Sequence, residues 1–552
     1  MGPAVARGEG AVGTSRFSHG RWTGRSAAVA VALALGTLGL VGQPAVAAGC
    51  GSTSRGIWND FNGDGSDELP IGVPSEDVGA IPEAGAVNVL YGPGPTATGD
   101  QFWSEASAGI LSAAEDYDSF GQALAAGDFN GDGCGDLAVG VPHQDVSGVS
   151  SAGAVHIIYG SSLGLTEDGD AQWTQNTGTM LDTPADAEFF GWSLATGKFN
   201  ADAYADLAIG VLYENDNGAV AVMYGSSAGL TDAGNQLWSQ DSPGINGQDF
   251  ECQSEFFGQA VAAANFNGDG VDDLAAGVPG EDLGGAGCGG VGYMEEVGAV
   301  NVIYGTAAGL SSAGDRVFHQ NSTSVQEEAE ANDRFGEELA SGDFDGDGAY
   351  DLAVGVPDET IGGAGAAGVA QVLYGDAGGL SGAGDQVWSE ESNGVPGSAE
   401  TSDSLGFALL AGNFGKGPQG DLAIGTPGQE ISGQGGAGWV HVLYGSSGAG
   451  LTASNDDVWS QDSPSVLDAA EVADGFGSEF GDAKFEAGVN SLAVGVSGED
   501  IGFIGGAGAV HVLHGSTTGL SADGDQFWHQ DRAGVLDVVE EADAFGAALA
   551  FG

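Results

Sequence analysis

A unit of about 70 residues recurs seven times along this chain, and that repetition limits its fold more than any other feature. In the second copy the core reads Phe120-Gly121-Gln122-Ala123-Leu124-Ala125-Ala126-Gly127. The loop Asp128-Phe129-Asn130-Gly131-Asp132-Gly133 follows, then Asp136-Leu137-Ala138-Val139-Gly140-Val141-Pro142. The loops begin at Asp60, Asp128, Lys198, Asn265, Asp343, Asn413 and Lys484, in steps of 68, 70, 67, 78, 70 and 71 residues. A unit this short cannot bury its own apolar face, so neighbouring copies must stack to make a core.

Each copy holds four apolar runs of strand length between Gly, Pro, Asn or Asp clusters, the pattern of an antiparallel meander. In the fifth copy these runs are 335–341, 352–356, 369–374 and 386–389. Small residues fill the first two runs and Tyr or Trp the last two, which suits a wedge that is narrow at a crowded axis and wide at its rim. Trp103, Trp173, Trp238, Phe318, Trp388, Trp459 and Trp528 recur once per copy and are expected to pack between blades. The first copy opens at Ile57-Trp58-Asn59-Asp60 without a Phe-Gly run, whereas residues 545–552 end the chain with one. The expected fold is all-β: over 57–552, a seven-bladed β-propeller of four-stranded antiparallel blades, closed by the C-terminal strand completing blade one.

The order Phe-Gly, acidic loop, Gly-Val-Pro and Gly-Ala-Val resembles the FG-GAP repeat of integrin α subunits and of bacterial secreted proteins. Gly210-Val211-Leu212 and Gly495-Val496-Ser497 lose the proline, and Leu405 replaces the phenylalanine. Integrin leg domains and a C-terminal membrane helix have no counterpart, so a receptor role is not expected. The likeness extends to a phospholipase family that carries such blades beside a separate zinc domain, for which this chain has no room.

The loop pattern D-x-[DN]-x-D-G-x-x-[DE] sets oxygen ligands at positions 1, 3, 5 and 9, and Ca²⁺ takes about 6–8 oxygens. Four copies keep the set: Asp60, Asn62, Asp64 and Glu68; Asp128, Asn130, Asp132 and Asp136; Asn265, Asn267, Asp269 and Asp273; Asp343, Asp345, Asp347 and Asp351. The third copy starts with Lys198 before Asn200, Asp202 and Asp206, so an ammonium takes part of the cation's place and no calcium is expected. The sixth (Asn413, Gly415, Gly417, Asp421) and the seventh (Lys484, Glu486, Ser491) have lost the ligands.

With Gly at 103 of 552 residues, 42 % apolar and 16 % charged, the chain is turn-rich rather than disordered. Its net charge of −67 repels nucleic acid and anionic lipid, so neither is an expected partner. The apolar run 26–42 follows a basic stretch and precedes Ala45-Val46-Ala47, which reads as a signal peptide over 1–47 and a short N-terminal segment over 48–56. Ala-Ala-Gly-Cys at Cys50 leaves lipidation there as an alternative. Four cysteines lie beyond the cleavage point, and their places in the repeat pair Cys50 with Cys134 on the metal-loop face and Cys252 with Cys288 on the opposite face.

An acidic residue stands two before each Phe-Gly: Asp118, Glu188, Glu255, Asp333, Asp403, Asp474 and Asp543. These carboxylates either cap their own turns or ring one channel mouth for a cation or cationic ligand. Gly160-Ser161-Ser162-Leu163-Gly164 and Gly225-Ser226-Ser227-Ala228-Gly229 match the serine-hydrolase elbow, but both are hairpin turns after a third strand. The expected function is a secreted, monomeric, calcium-binding module for adhesion or binding, without enzymatic activity and without a transmembrane helix. Its partner is an extracellular protein or glycan, and the long insertion 280–297 is the favoured contact. A hydrolase or lyase acting on polysaccharide or lipid is the main alternative, and a surface-layer scaffold the other.

Overall fold

A computed structural model describes residue 50 and residues 59–92, 94–247, 254–284, 292–486 and 489–550. Contacts divide the chain into Met1–Val46 and Ala47–Gly552, and every described residue lies in the second unit. The signal peptide and the Cys252–Cys288 pair lie outside the described residues.

Seven four-stranded antiparallel sheets follow one another as the sequence anticipates. In the second blade Ala123–Gly127 is innermost, followed outward by Asp136–Val141, Ala154–Tyr159 and Thr166–Trp173. The first blade is Leu69–Val73, Ala86–Tyr91 and Thr96–Trp103, with Ala548–Leu549 as its innermost strand. Ile71 pairs with Leu549 and Gly72 with Ala548. The innermost strands touch one another around the whole circle, Ala548–Leu549 meeting both Ala123–Gly127 and Glu479–Glu486. Among the described residues the one helical turn is Glu214–Asp216, and no helix is long and apolar enough to cross a membrane.

The strand limits differ from expectation at both edges of a blade. In the fifth, the innermost strand is Glu338–Gly342, because Gly336 takes φ 94° and turns the chain before pairing begins. The outermost strand is Ser381–Trp388, five residues longer at its start than the apolar run, and a bulge between Val372 and Tyr374 absorbs Gly384 at φ 87°. Gly-rich polar sequence there is an exposed edge rather than a turn.

Two phenylalanine series fill the spaces between blades. Phe120, Phe190, Phe257, Phe335, Phe476 and Phe545 of the Phe-Gly motif, with Leu405, are buried, as are Phe61, Phe129, Phe199, Phe266, Phe344 and Phe414 from position 2 of the loops. The motif's glycine is required by close approach. A Cβ on Gly121 (φ 95°) would lie 2.6 Å from the Ala86 carbonyl of the preceding blade.

Antiparallel order puts the loops between first and second strands on one face. The loops entering each blade and those between second and third strands lie on the other.

Candidate metal loops and the opposite face

In the second loop the Asp128 carboxylate accepts N–H bonds from Gly131 (2.7 Å), Asp132 (3.1 Å) and Gly133 (3.1 Å). Asn130 accepts from Asp132 (2.7 Å), and Asp132 from Cys134 (3.0 Å). The same wrapping recurs around Asp60, Asn62 and Asp64, around Asn265, Asn267 and Asp269, and around Asp343, Asp345 and Asp347. Glycines at positions 4 and 6 make it possible: Gly131 and Gly133 have φ 74° and 91°.

Asp60, Asp64 and Glu68 bring ligand oxygens within 4.8 Å of one another, and so do Asp343, Asp345 and Asp351; among the described residues no other loop gathers three carboxylates so closely. Burial and the adjacent Asp60 and Asp64 push the Glu68 carboxyl up to about 9. Burial raises Asp351 to about 7 despite two N–H donors. Converging carboxylates that resist ionisation together, with amide oxygens beside them, form a hard-oxygen donor set that fits Ca²⁺.

Position 9 has a second task. Asp136 accepts from Phe129 N–H (3.0 Å) and Gly160 N–H (2.9 Å), joining the loop to the end of the third strand. Asp206, Asp273, Asp351 and Asp421 repeat both bonds. The third and sixth loops thus keep this acid for the backbone. Lys198 points its ammonium at the Ala203 carbonyl, 3.3 Å away, inside its own loop.

Cys50 and Cys134 form a disulfide with Cα atoms 5.0 Å apart, fastening the N-terminal segment to the second metal loop. Cys50 sulfur is therefore engaged, and lipidation there is overturned. The motif-like serine turns are closed hairpins, in which Ser161 Oγ donates to Gly164 carbonyl at 2.7 Å and Ser226 Oγ to Gly229 carbonyl at 2.8 Å.

On the opposite face six of the seven acids before Phe-Gly cap their own turns. Asp118 accepts from Glu115 N–H at 2.6 Å, and Glu188, Asp333, Asp403, Asp474 and Asp543 repeat the bond at 2.5–2.6 Å; Glu255 is buried at the same position. Next to this ring lies a series absent from the sequence reading. Amides, buried except for the half-buried Gln240, meet buried carboxyl groups between successive blades: Gln175 donates to Glu214 (2.7 Å), Gln240 to Glu281 (2.5 Å), Gln320 to Glu359 (2.5 Å), Gln461 to Glu499 (2.5 Å), and Gln530 to Glu76. Two junctions exchange the types, with Glu105 and Gln144, then Glu390 and Gln429, in the corresponding places.

The sequence reading also missed a row of half-buried aromatic rings on this face. His143, Phe189, Tyr213 and Phe256 follow one another at centroid spacings of 4.9, 5.6 and 5.3 Å, with Trp192 6.2 Å from Phe189. The signal was present, since no other copy has an aromatic either after Gly-Val-Pro or before Phe-Gly. Within 280–297, the described part ties Asp282 to Tyr293 Oη (2.6 Å) and to Glu296 N–H (2.9 Å). Residues 285–291 lie outside the described residues.

Residues 120–158, 190–223, 257–292 and 335–373 match the FG-GAP repeat family. Phosphatidylinositol-glycan-specific phospholipase D of Bos taurus is 34 % identical over 168 residues, 30 % of this chain and 19 % of that protein. Integrin alpha-5 of Xenopus laevis is 30 % identical over 237 residues, 41 % of this chain and 19 % of that one. The chain thus spans about a fifth of the length of these relatives. The periplasmic gluconolactonase PpgL of Pseudomonas aeruginosa aligns with 86 % of this chain and 97 % of its own at TM-score 0.43 and 13 % identity, values that carry no weight for function. The expectation that the chain is not an enzyme is overturned by the phospholipase D matches, which extend to the rat and human proteins.

Proposed function

From the premise that this chain is a tandem array of FG-GAP repeats closed into a seven-bladed propeller, we propose that it is an exported, calcium-stapled module that binds an extracellular protein or glycan. The convergence of Asp60, Asp64 and Glu68, and of Asp343, Asp345 and Asp351, on one face carries this reading. The second and fourth loops add Asp128, Asn130, Asp132 and Asp136, and Asn265, Asn267, Asp269 and Asp273, in the same wrapped backbone. When bound, calcium supplies the positive charge these carboxylates lack and ties each hairpin across its turn. Extracellular sites of this kind hold calcium with Kd of about 10⁻⁴–10⁻³ M, which suits a compartment rich in it. The Cys50–Cys134 disulfide supports the same compartment. With one face occupied by metal loops, the loops entering each blade and those after Gly-Val-Pro are free to meet a ligand.

Array binding of glycans and extracellular proteins, with and without EDTA, tests this. Calcium-dependent capture of a ligand is expected; no capture in either condition, or a melting temperature indifferent to EDTA, overturns it.

The matches to phospholipase D favour a second reading, an extracellular hydrolase working at the loop face. Turnover of a glycolipid and polysaccharide panel without lasting capture would favour it over the binding module.

A further inference from the structure

The row His143, Phe189, Tyr213 and Phe256 is not demanded by the fold. After Gly-Val-Pro or its variants the remaining blades carry Ser75, Gly280, Asp358, Gly428 and Gly498; before Phe-Gly they carry Ser119, Arg334, Ser404, Gly475 and Ala544. Phe189 and Phe256 sit at φ 57° and 61°, a left-handed conformation that costs a bulky side chain more than a Ser or Gly. Four blades close without an aromatic ring at either place, so the presence of such rings in three adjacent blades calls for a ligand.

The geometry is that of a wall rather than an enclosure. Successive rings meet edge to face, at 69°, 66° and 87°, and none is fully buried. The wall ends at an open cleft of about 590 Å³ whose lining includes Tyr117, His143 and Ser151 and the acids Glu115, Asp116, Asp118 and Asp145, with Tyr117 56 % exposed. Such a cleft has the size of a small-molecule site. Aromatic surface beside hydroxyl and carboxylate groups suits a ligand that is apolar on its ring faces and rich in hydroxyls on its edges.

Charge narrows the class. A net charge of −67 disfavours sulfated and uronic-acid polymers. A cationic peptide is the rival occupant, because the exposed Glu115 and Asp116 also line the cleft; other acids of these loops hold loop bonds, Asp145 accepting from Ser151 N–H (2.9 Å), Asp186 from Ser150 N–H (3.1 Å), Glu188 from Ala185 N–H (2.6 Å) and Glu214 from Gln175 Nε2 and Asn215 Nδ2 (both 2.7 Å). We infer that the aromatic wall of blades two to four binds a neutral oligosaccharide, its sugar rings lying against Phe189, Tyr213 and Phe256 and its hydroxyls bonding in the Tyr117–Asp145 cleft. This deepens the binding-module reading and rests on it.

The test is titration calorimetry of the mature chain in calcium buffer with cellotetraose, chitotetraose, xylotetraose and, as rival, octa-lysine. The variant Phe189→Ser, Tyr213→Ser, Phe256→Ser places at each site a residue that another blade carries there, so folding is preserved, and unchanged circular dichroism and melting check it. Arg334→Ala, at the fifth-blade counterpart of Phe189, is the control. At least one tetrasaccharide is expected to bind, the triple variant to lose tenfold or more in affinity, and Arg334→Ala to lose none. No tetrasaccharide binding, binding that survives the triple variant, or binding of octa-lysine alone overturns the inference. A protein ligand captured equally by the triple variant would sink the inference and leave the binding module standing.

Discussion

The main-chain N–H of Lys198 donates to the Asp272 carboxylate at 2.8 Å across the boundary between the third and fourth blades. Lys484 N–H does the same to Asp67 at 2.6 Å between the seventh and the first. Both lysines occupy position 1 of a loop without the full ligand set. Both aspartates occupy position 8 of the next, where the other blades have Gly135, Ala205, Tyr350, Gly420 and Asn490. Lys416, the chain's only other lysine, lies in the sixth loop with its ammonium 2.9 Å from Asp457 and over the Tyr444 ring. Every loop that lacks the ligand set thus carries a protein-borne cation.

This substitution reaches the backbone, which sets a limit on reversing it. Ala201 and Ala203 of the third loop are not left-handed, whereas Gly63, Gly131, Gly268 and Gly346 have φ 67–75° and Gly65, Gly133, Gly270 and Gly348 φ 91–95°. Lys198→Asp alone is expected to add no calcium site. Combined with Ala201→Gly and Ala203→Gly, it should raise calorimetric calcium stoichiometry from four to five.

The double role of position 9 separates metal binding from hairpin stability. Asp421 is buried and bonded to Phe414 N–H (2.8 Å) and Gly445 N–H (2.9 Å), in a loop with no other carboxylate at a ligand position. Asp421→Ala should cost about 2–6 kcal/mol, since each orphaned buried N–H costs about 1–3 kcal/mol, and leave calcium stoichiometry unchanged. Asp345→Ala should do the reverse, losing one calcium while differing little from wild type in EDTA. Urea melts with and without EDTA check both.

The closed ring was legible because its cause is local: apolar runs of strand length repeat, and a Phe-Gly run missing at Asn59 reappears at Phe545. The loop ligands were legible because a metal needs them at fixed spacing. Two other features were hidden. Glu76 and Gln530 lie 454 residues apart and meet only when the ring closes, and the Asp136 carboxylate spans two hairpins whose distance no local pattern encodes. The aromatic wall went unread because Phe189 and Tyr213 belong to different loops, and a motif alignment treats the residues flanking Phe-Gly and Gly-Val-Pro as spacers.

The buried junction acids give stability a definite pH dependence. Burial, with Asp537 and Asp543 nearby and despite the Gln530 amide, raises the Glu76 carboxyl to about 9. Burial with Asp182 and Glu188 does the same for Glu214, and burial with Asp474 and Asp468 for Glu499. Folded groups raised above their unfolded values bind more protons than the unfolded chain, so their contribution is complete below about pH 4 and falls as pH rises toward 9. The calcium-free protein should therefore melt higher at pH 5.5 than at pH 8.5, and Glu76→Gln with Glu214→Gln and Glu499→Gln should flatten that slope. A wild-type melting temperature that climbs over this range would contradict the assignment.

Ring closure rests on a short strand with a large buried anchor. Ala548–Leu549 gives the first blade only two paired residues, yet Phe545 is fully buried among Val510, Val512 and Trp528 of the seventh blade and Leu69, Ile71 and Val73 of the first. Its N–H also donates to the Ala507 carbonyl at 2.9 Å, and Gly546 N–H to the Gly72 carbonyl at 3.1 Å. The terminal segment thus fastens both neighbours at once, and the backbone bonds hold register while the phenyl ring supplies most of the buried apolar area. Phe545→Ala should cost about 3–5 kcal/mol by leaving a cavity. Deleting 545–552 should do more, exposing the edge of Leu69–Val73 and splitting one unfolding transition into two, because the first and seventh blades then lose the strand and the ring packed between them. Differential scanning calorimetry checks this, and adding a peptide of residues 543–552 to the truncated chain should restore the single transition by pairing at the vacant edge.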